Sequence, residues 1–470
     1  MTVFDGSVYR PGDDGYEAAR CGAVWNAIKP HRFPAIIVTA GSHRDIPRAV
    51  GLAREEGMSI GVRSGGHNWV GNAVRDGGLL LDLSQLKAIG VNPQGRTATI
   101  EPGVRVCDLV QALTPHGLYF PVGSCPTVGL TGYILGGGSG VNSPEVGMAA
   151  YSMRAFDMVN ADGEVLHVTD ERHRDIMWAA RGSGPGFFGV VTRLYLDLRP
   201  FPGVAAVSLQ LHPREAFDDL VHWYLQAPRP GMIIAGAAPS FGHHETVVMV
   251  MGNALADTLD GAAEKLAPLE TAPNLDGALV HQTAQPISLE QLPDLVGQMY
   301  PEGLRYLSDN VWINDTEAPG LWDVANTVVD TLPTAHSTLW LMPTFTQVQH
   351  PNASFSLQGK TCLQVYAGYK DSAQDQDMLA WHNDAMARID RYSIGGGYVG
   401  DSNLIEHPVA VLDPDSAARL EHLRAKYDPD GRFDSYPSDL PPARILGASP
   451  LACGPLCWRT GSSGAMRLRG

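Results

Sequence analysis

The stretch Val62-Arg63-Ser64-Gly65-Gly66-His67-Asn68-Trp69-Val70-Gly71 decides how this 470-residue chain is read. It follows an apolar run, Met58 to Val62, with the pattern of a short strand end. Paired glycines at such an end permit positive φ and turn bare N–H groups toward an anion, which predicts a phosphate-cradling loop. Taken alone, the same residues also make an ordinary turn with a solvated histidine.

A second stretch answers it: Gly123-Ser124-Cys125-Pro126-Thr127-Val128-Gly129-Leu130-Thr131-Gly132-Tyr133-Ile134-Leu135-Gly136-Gly137-Gly138-Ser139-Gly140. Each interior glycine costs a helix about 1 kcal/mol against alanine, so this density predicts no stable ordinary helix. A flexible linker would be rich in serine and polar residues and would lack Val128, Leu130, Tyr133, Ile134 and Leu135. Glycines passing close beneath a flat ring and a pyrophosphate account for both features. The nicotinamide fingerprint is excluded, because the strand, Gly-x-Gly-x-x-Gly turn, helix and acidic residue of that unit are missing.

With His67 in the first stretch and Cys125 in the second, the chain resembles the flavin oxidases of the p-cresol methylhydroxylase and vanillyl alcohol oxidase type, in their berberine-bridge-enzyme-like branch. Arg63 to His67 match a segment whose histidine is bonded to the flavin 8α-methyl carbon. Gly123 to Gly132 match one whose cysteine is bonded to flavin C6. The resemblance therefore implies FAD held bicovalently through His67 and Cys125. It also implies cofactor contacts from Arg63, Ser64, Gly65, Gly66, Asn68, Gly71, Gly123, Val128, Gly129, Gly132, Gly138 and Gly140, with Gly189 and Val190 against the adenine end. Further matches are Asp175 to Gly184, Phe188 to Thr192 and Lys426 to Asp430, so the likeness spans about residues 15 to 440.

Bulk properties narrow the function classes. Hydrophobic residues make up 44% and charged residues 18%, an ordinary globular composition. Fifty acidic against 34 basic residues leave a formal charge of −16, which argues against nucleic acid and anionic membranes as partners. The opening Met1-Thr2-Val3-Phe4-Asp5-Gly6 has neither a basic nor an apolar targeting region, and no later run is long enough to span a bilayer, so a cytoplasmic location is expected. Six thinly spread cysteines argue against a disulfide framework. The pair Cys453 and Cys457 could clip the tail, and no metal site is expected.

Chain length predicts two domains. Near-helical spacing from about 16 to 30 predicts a short amphipathic helix. Strands are expected at Ala35–Thr39, Gly78–Asp82 and Thr97–Glu101. Helices are expected from Ser42, acting as N-cap, and over Val106–His116. Asp162-Gly163 between two apolar runs is a hairpin signal. The fold class is α+β: an FAD-binding domain of two subdomains over 1–200, then a substrate domain over 201–408 with an antiparallel sheet backed by helices. Strand-like runs at Val204–Leu211, Met232–Ala237, Thr246–Met251, Ser337–Thr344 and Thr361–Tyr369 carry that sheet. Helical stretches at Ala254–Leu266 and Ala373–Ile389 back it. Residues 409–440 return to the first domain, and 441–470 read as a disordered tail.

Hydride abstraction from a carbinol carbon needs a base within hydrogen-bond reach of the substrate hydroxyl. Tyr398, in Gly396-Gly397-Tyr398-Val399-Gly400-Asp401, matches the family's tyrosine; its pKa would have to be lowered by positive charge or hydrogen bonding. The sequence departs from the family here, with Gly400 replacing an asparagine and Asp401 an aromatic residue, so Tyr398 is either the base or a pocket wall. Tyr436 stands where relatives carry another asparagine and is the second candidate. Gln364, Tyr366 and Tyr151 are expected to line the substrate pocket. The reaction implied is oxidation of an alcohol or hemiacetal on a bulky secondary metabolite, with dioxygen giving hydrogen peroxide. Oxidative cyclisation of an amine or phenol, and a redox-silent cyclase or binding protein, stand as alternatives. The expected assembly is a monomer or homodimer.

Overall fold

The computed structural model of the chain describes residues 3–227, 231–238, 241–297 and 299–437. Four short strands form a first sheet: β1 (Ser7–Tyr9), β2 (Ile36–Thr39), β3 (Ile60–Arg63) and β4 (Leu79–Asp82), ordered β1-β2-β4-β3. β2, β4 and β3 run parallel. Ile36-Ile37-Val38 and Leu79-Leu80-Leu81 are buried throughout, as parallel strands covered on both faces require.

A second, antiparallel sheet takes β5 (Ile89–Asn92), β6 (Thr97–Ile100), β8 (Met153–Val159), β9 (Val165–Thr169) and β10 (Val190–Asp197), in the order β5-β6-β10-β8-β9. The intervening β7 (Leu118–Tyr119) pairs with β11 (Arg199–Pro200). The Asp-Gly hairpin forms as the sequence predicts: Gly163 has φ +84° and Asn160 donates to the Glu164 carbonyl at 3.0 Å.

The third sheet is built from β12 (Val204–Pro213), β13 (Met232–Ala238), β14 (His243–Ala256), β15 (Val280–Ile287), β16 (Arg305–Ile313), β17 (Thr338–Pro343) and β18 (Thr361–Tyr369). Its order is β15-β12-β14-β13-β17-β18-β16, antiparallel throughout. Helices Phe217–Gln226, Leu259–Leu266, Leu321–Asp330 and Asp375–Asp390 bury one face, into which Val248, Val250, Leu339, Leu341, Leu363 and Val365 point. The two-residue period of a strand sends Met249, Met251, Trp340 and Tyr366 to the other face, where they pack with Trp69. Leu412, Leu420 and Leu423 join the core of the second sheet, and Phe433 that of the first, through a bridge to Ile60.

Several local expectations are corrected. The first helix stops at Gly22, because beyond it the chain bends to make other contacts: Trp25 donates to the Gly66 carbonyl, and the Asn26 amide to the carbonyls of Trp69 and Tyr306. The next helix begins at Asp45 rather than after Ser42, since the Asp45 carboxylate gathers N–H groups from Asp5, Gly6 and Gly41. Despite its glycines, the second stretch contains a short helix, Leu130–Leu135, seated on buried Leu130 and Ile134. β14 runs on to Ala256, and the helix after it starts only where Thr258 caps the Gly261 N–H. β15 and β16 are additional strands. Cys107, Cys125 and Cys362 are free thiols, whereas Cys21 is disulfide-bonded, which the sparse cysteine spacing did not suggest. The tail from Pro441, with Cys453 and Cys457, lies outside the described residues.

Candidate active site

A cavity of about 670 Å³ opens between the glycine-rich segments and the free face of the third sheet. Its first wall is the turn after β3. Arg63 anchors that turn by donating to Asp82 (2.8 Å) and to the carbonyls of Gly22 and Gly65 (3.3 Å each). Ser64 Oγ donates to the Pro102 carbonyl at 2.6 Å. Gly66 has φ +77°, and a Cβ there would lie 2.4 Å from the Ala23 carbonyl oxygen, so only glycine fits. His67 stacks on Trp25 with ring centroids 4.8 Å apart. Burial first, then the nearby Arg63 guanidinium, holds its pKa down to about 3, leaving a neutral imidazole at ordinary pH. Asn68 Oδ1 accepts from the Asn72 and Val70 N–H groups, closing the loop.

The second wall is the Gly123–Gly140 stretch. A Cβ on Gly65 would lie 2.4 Å from the Gly129 nitrogen, so the two motifs pack backbone against backbone. That approach brings His67 and Cys125 to one place: Thr127 Oγ1 is 2.9 Å from His67 Nε2 and 3.7 Å from Cys125 Sγ. Burial pushes the Cys125 thiol up, opposed by hydrogen bonding to Thr127.

The third wall faces them from the other domain. Trp340, Gln364 and Tyr366 point inward from β17 and β18, and Tyr398 and Asp401 arrive on the segment after the last sheet strand. Three consecutive buried residues of β16 clamp that segment. Ser308 Oγ donates to the Asp401 carbonyl (2.9 Å), Asp309 accepts from Asn403 N–H (2.9 Å), and Asn310 bonds both the N–H and the carbonyl of Tyr398 (2.6 and 3.0 Å). Burial raises the Asp401 pKa to about 6, against the pull of donors Trp69, Gln364 and Tyr366. All three donors are neutral. A carboxylate poised there suits a general base near neutral pH.

The comparisons with known proteins agree with this geometry. A family profile described as the FAD binding domain matches residues 34–169. The FAD-linked oxidoreductase penO of Penicillium crustosum is 30% identical over 431 residues, covering 89% of this chain and 93% of that protein. The chain belongs to the FAD-linked oxidoreductases. The (R)-6-hydroxynicotine oxidase of Paenarthrobacter nicotinovorans is 36% identical over 197 residues, 42% of each protein. Among solved structures, 6-hydroxy-D-nicotine oxidase of Arthrobacter nicotinovorans superposes with a TM-score of 0.80 at 24% identity, covering 92% of this chain and 97% of that one. Berberine-bridge-enzyme-like protein 1 of Physcomitrella patens gives 0.78 at 19%, covering 93% and 97%. This oxidoreductase thus has the two-domain α+β fold of the vanillyl alcohol oxidase and p-cresol methylhydroxylase type.

The residues present in the oxidoreductase fit FAD. The backbone N–H groups of Gly65, Gly66, His67 and Asn68 have no protein acceptor among the described residues, leaving a nest of donors for an anion or a ring heteroatom. A Cβ at Gly132 would meet nothing within 4 Å, so the helix that bears it presents open backbone to the cavity. Of the residues named from sequence, Arg63 to Asn68, Gly71, Gly123, Cys125, Val128, Gly129, Gly132, Gly140, Gly189, Gln364, Tyr366 and Tyr398 line the cavity of the oxidoreductase.

Four do not. Gly138, with φ +75°, lies behind the wall against the Tyr133 ring. Val190 is the fully buried first residue of β10, in the core of the first sheet. Tyr151 is turned onto His350, ring centroids 5.2 Å apart. Tyr436 spends its hydroxyl on the Ser183 carbonyl at 2.7 Å and packs behind Gly186.

Tyr398 reaches the cavity, but its electrostatics reverse the expectation. Burial and then the Asp401 carboxylate raise its pKa, and the Ser139 N–H, 3.4 Å from its hydroxyl, does not compensate. The departure at Gly400 has a steric cause: a Cβ there would sit 2.5 Å from the Tyr398 ring. Sequence reasoning passed over Asp401 as a base and Thr127 as a partner of His67, although both stand inside the quoted motifs. The acid within the apolar Gly-Tyr-Val-Gly run was the available signal.

Proposed function

We propose that this oxidoreductase is an oxidase whose FAD is tethered to His67 and Cys125, and that it oxidises a carbinol or hemiacetal carbon of a bulky secondary metabolite, with Asp401 as the base. The observation that supports it best is the placement of His67, Cys125 and Asp401 around one cavity. FAD bound there would supply a two-electron acceptor for hydride from the substrate carbon, with dioxygen as the final oxidant and hydrogen peroxide as its product. The N–H groups of Gly65 to Asn68 and the glycine floor would bind it. Asp401, ionised above about pH 6, takes the substrate hydroxyl proton. The Tyr366 hydroxyl, 3.5 Å from Asp401 Oδ1, orients that carboxylate. Met232, Met251, Leu292, Leu295 and Trp340 line the substrate end and exclude water, which favours an apolar polycycle over a free sugar.

One observation favours a second substrate class. Among the described residues no cationic side chain pairs with Asp401, so an ammonium group would find its counter-ion there. Anaerobic mixing with panels of alcohols and cyclic amines, followed by flavin bleaching and then peroxide release in air, separates the two. Failure of every donor to bleach a tethered flavin would leave only the redox-silent alternative.

A further inference from the structure

His67 and Cys125, the two side chains read above as flavin anchors, share one hydroxyl. Thr127 Oγ1 lies 2.9 Å from His67 Nε2 and 3.7 Å from Cys125 Sγ. A hydroxyl has a single proton to give and two lone pairs to receive. The imidazole, being neutral, carries one N–H. If Thr127 donated to Nε2, the ring proton would sit on Nδ1, one lone pair would be absent and the other engaged, and the sulfur would lose its hydroxyl donor, keeping only the backbone N–H groups of Thr127 and Val128. The reverse direction satisfies all three groups. Nε2–H donates to Thr127, the Nδ1 lone pair is left free, and the Thr127 hydroxyl proton points to sulfur. Stacking on Trp25, itself stacked on Tyr306, fixes the ring plane.

We propose that Thr127 is the positioning residue for both flavin attachments, selecting the Nδ1-nucleophilic tautomer of His67 and stabilising the thiolate of Cys125 through the same oxygen. This rests on the bicovalent reading of the site. C6 and the 8α-methyl belong to the same outer ring of the flavin, so a single hydroxyl between the two anchors suits both. For His67, the Nδ1–C8α bond forms while one 8α C–H and the Nε2–H break, the latter proton leaving through Thr127. For Cys125, the Sγ–C6 bond forms while S–H and C6–H break. Each attachment releases two electrons and two protons, which one dioxygen accepts as hydrogen peroxide. The role follows from the shared hydroxyl: the thiolate is the nucleophile, burial disfavours it, and the Thr127 hydroxyl 3.7 Å from sulfur opposes that burial together with the backbone N–H groups of Thr127 and Val128.

The test uses full-length protein expressed with its flavin, denatured, and read by intact mass and by mapping flavin on the His67 and Cys125 peptides. Total flavin and melting temperature are measured alongside to show that the fold is kept. Thr127→Val retains the shape and removes the hydroxyl; the linked share at both peptides should fall about tenfold or more. Thr127→Ser keeps the hydroxyl and should stay within about twofold of wild type. In apoprotein reconstituted with FAD, cysteine linkage should climb with pH in both proteins, because burial holds the thiol up even beside Thr127, and T127V should recover toward the wild-type rate only at the higher pH its less supported thiol needs. A purely structural role for Thr127 would not produce that recovery. Should T127V fail to fold, T127S carries the test, and a tenfold loss there overturns the role. Wild-type linkage in T127V also overturns it. A wild-type chain without flavin mass after denaturation is a different result: it overturns the tethering itself, and the role of Thr127 with it.

Discussion

At the glycine-rich end of the cavity, His67 and Cys125 sit in two short contiguous motifs whose neighbours are mainly backbone, while at the opposite end Tyr398 and Asp401 depend on side chains from β16 and β18, up to 93 positions away. In the first region the sequence order and the spatial order coincide. In the second, the same chain segment could present either a phenolate or a carboxylate, and only the fold decides. Burial without a cation raises both groups, and it leaves the carboxylate near neutrality while putting the phenol out of reach. A local motif therefore fixes where a cofactor is held, whereas the ionisation that drives chemistry is a property of the assembled interior.

The largest expected effect lies at the first end. His67→Ala with Cys125→Ala should abolish the flavin mass on the denatured chain, and each single variant should leave one linkage, read by intact mass spectrometry. Retention of that mass in the double variant would remove the distinction between the two ends, since neither motif would then hold the cofactor.

Next in size is the contrast within the second end. Asp401→Asn should lower kcat/KM by about 10²- to 10⁴-fold, the usual contribution of a general base. Tyr398→Phe should cost less than about tenfold, because a phenol with a raised pKa contributes packing against Phe345 rather than proton transfer. Measured with any donor that bleaches the flavin, the opposite ranking would restore Tyr398 as the base.

A smaller effect, with a definite sign, comes from pH. The folded pKa of Asp401 is about 6, above the ordinary carboxylate value of about 3.9. Between those values the folded chain holds a proton that the unfolded chain has lost, so the contribution of Asp401 to stability is greatest below about pH 4, falls as pH rises to about 6 and is flat beyond. The fall amounts to no more than about 3 kcal/mol. Activity should move the other way, with kcat/KM rising through about pH 6 as the base ionises. Asp401→Asn should lose both slopes in chemical denaturation and in the rate profile.

How much was legible in the sequence follows the same division. Gly65, Gly66 and Gly129 announced a close backbone approach because no other residue type fits there, and the Asp162-Gly163 hairpin and the alternating strands of the third sheet carried their own periods. The segment after Gly22 was misread as helix because its apolar spacing serves contacts with Gly66 and Tyr306, not a helix face. β16 has no usable alternation: all but its first residue are buried, and its polar triplet Ser308-Asp309-Asn310 makes sense only beside Tyr398 to Asn403. Asp401 was visible as an acid in an apolar run, but its role depended on Trp69, Gln364 and Tyr366, and no window of sequence contains them together with it.

The smallest expected effect tests whether a residue matched to the family by position takes part in the chemistry. The family resemblance implies a place near the cofactor for Tyr436, yet its hydroxyl is committed to the Ser183 carbonyl, and its ring fills the space behind Gly186, where an added Cβ would lie 2.7 Å from that oxygen. Tyr436→Phe removes one hydrogen bond and leaves the ring in place. Stability should drop by about 1 kcal/mol, the net worth of such a bond, with the Ser183 carbonyl left to pay the difference. Catalysis should stay within about twofold, because the cavity wall is formed by Gly184 and Pro185 and not by the phenol behind them. A loss of rate comparable to that of Asp401→Asn, at unchanged stability, would show that the wall moves during turnover and admits Tyr436 to the site.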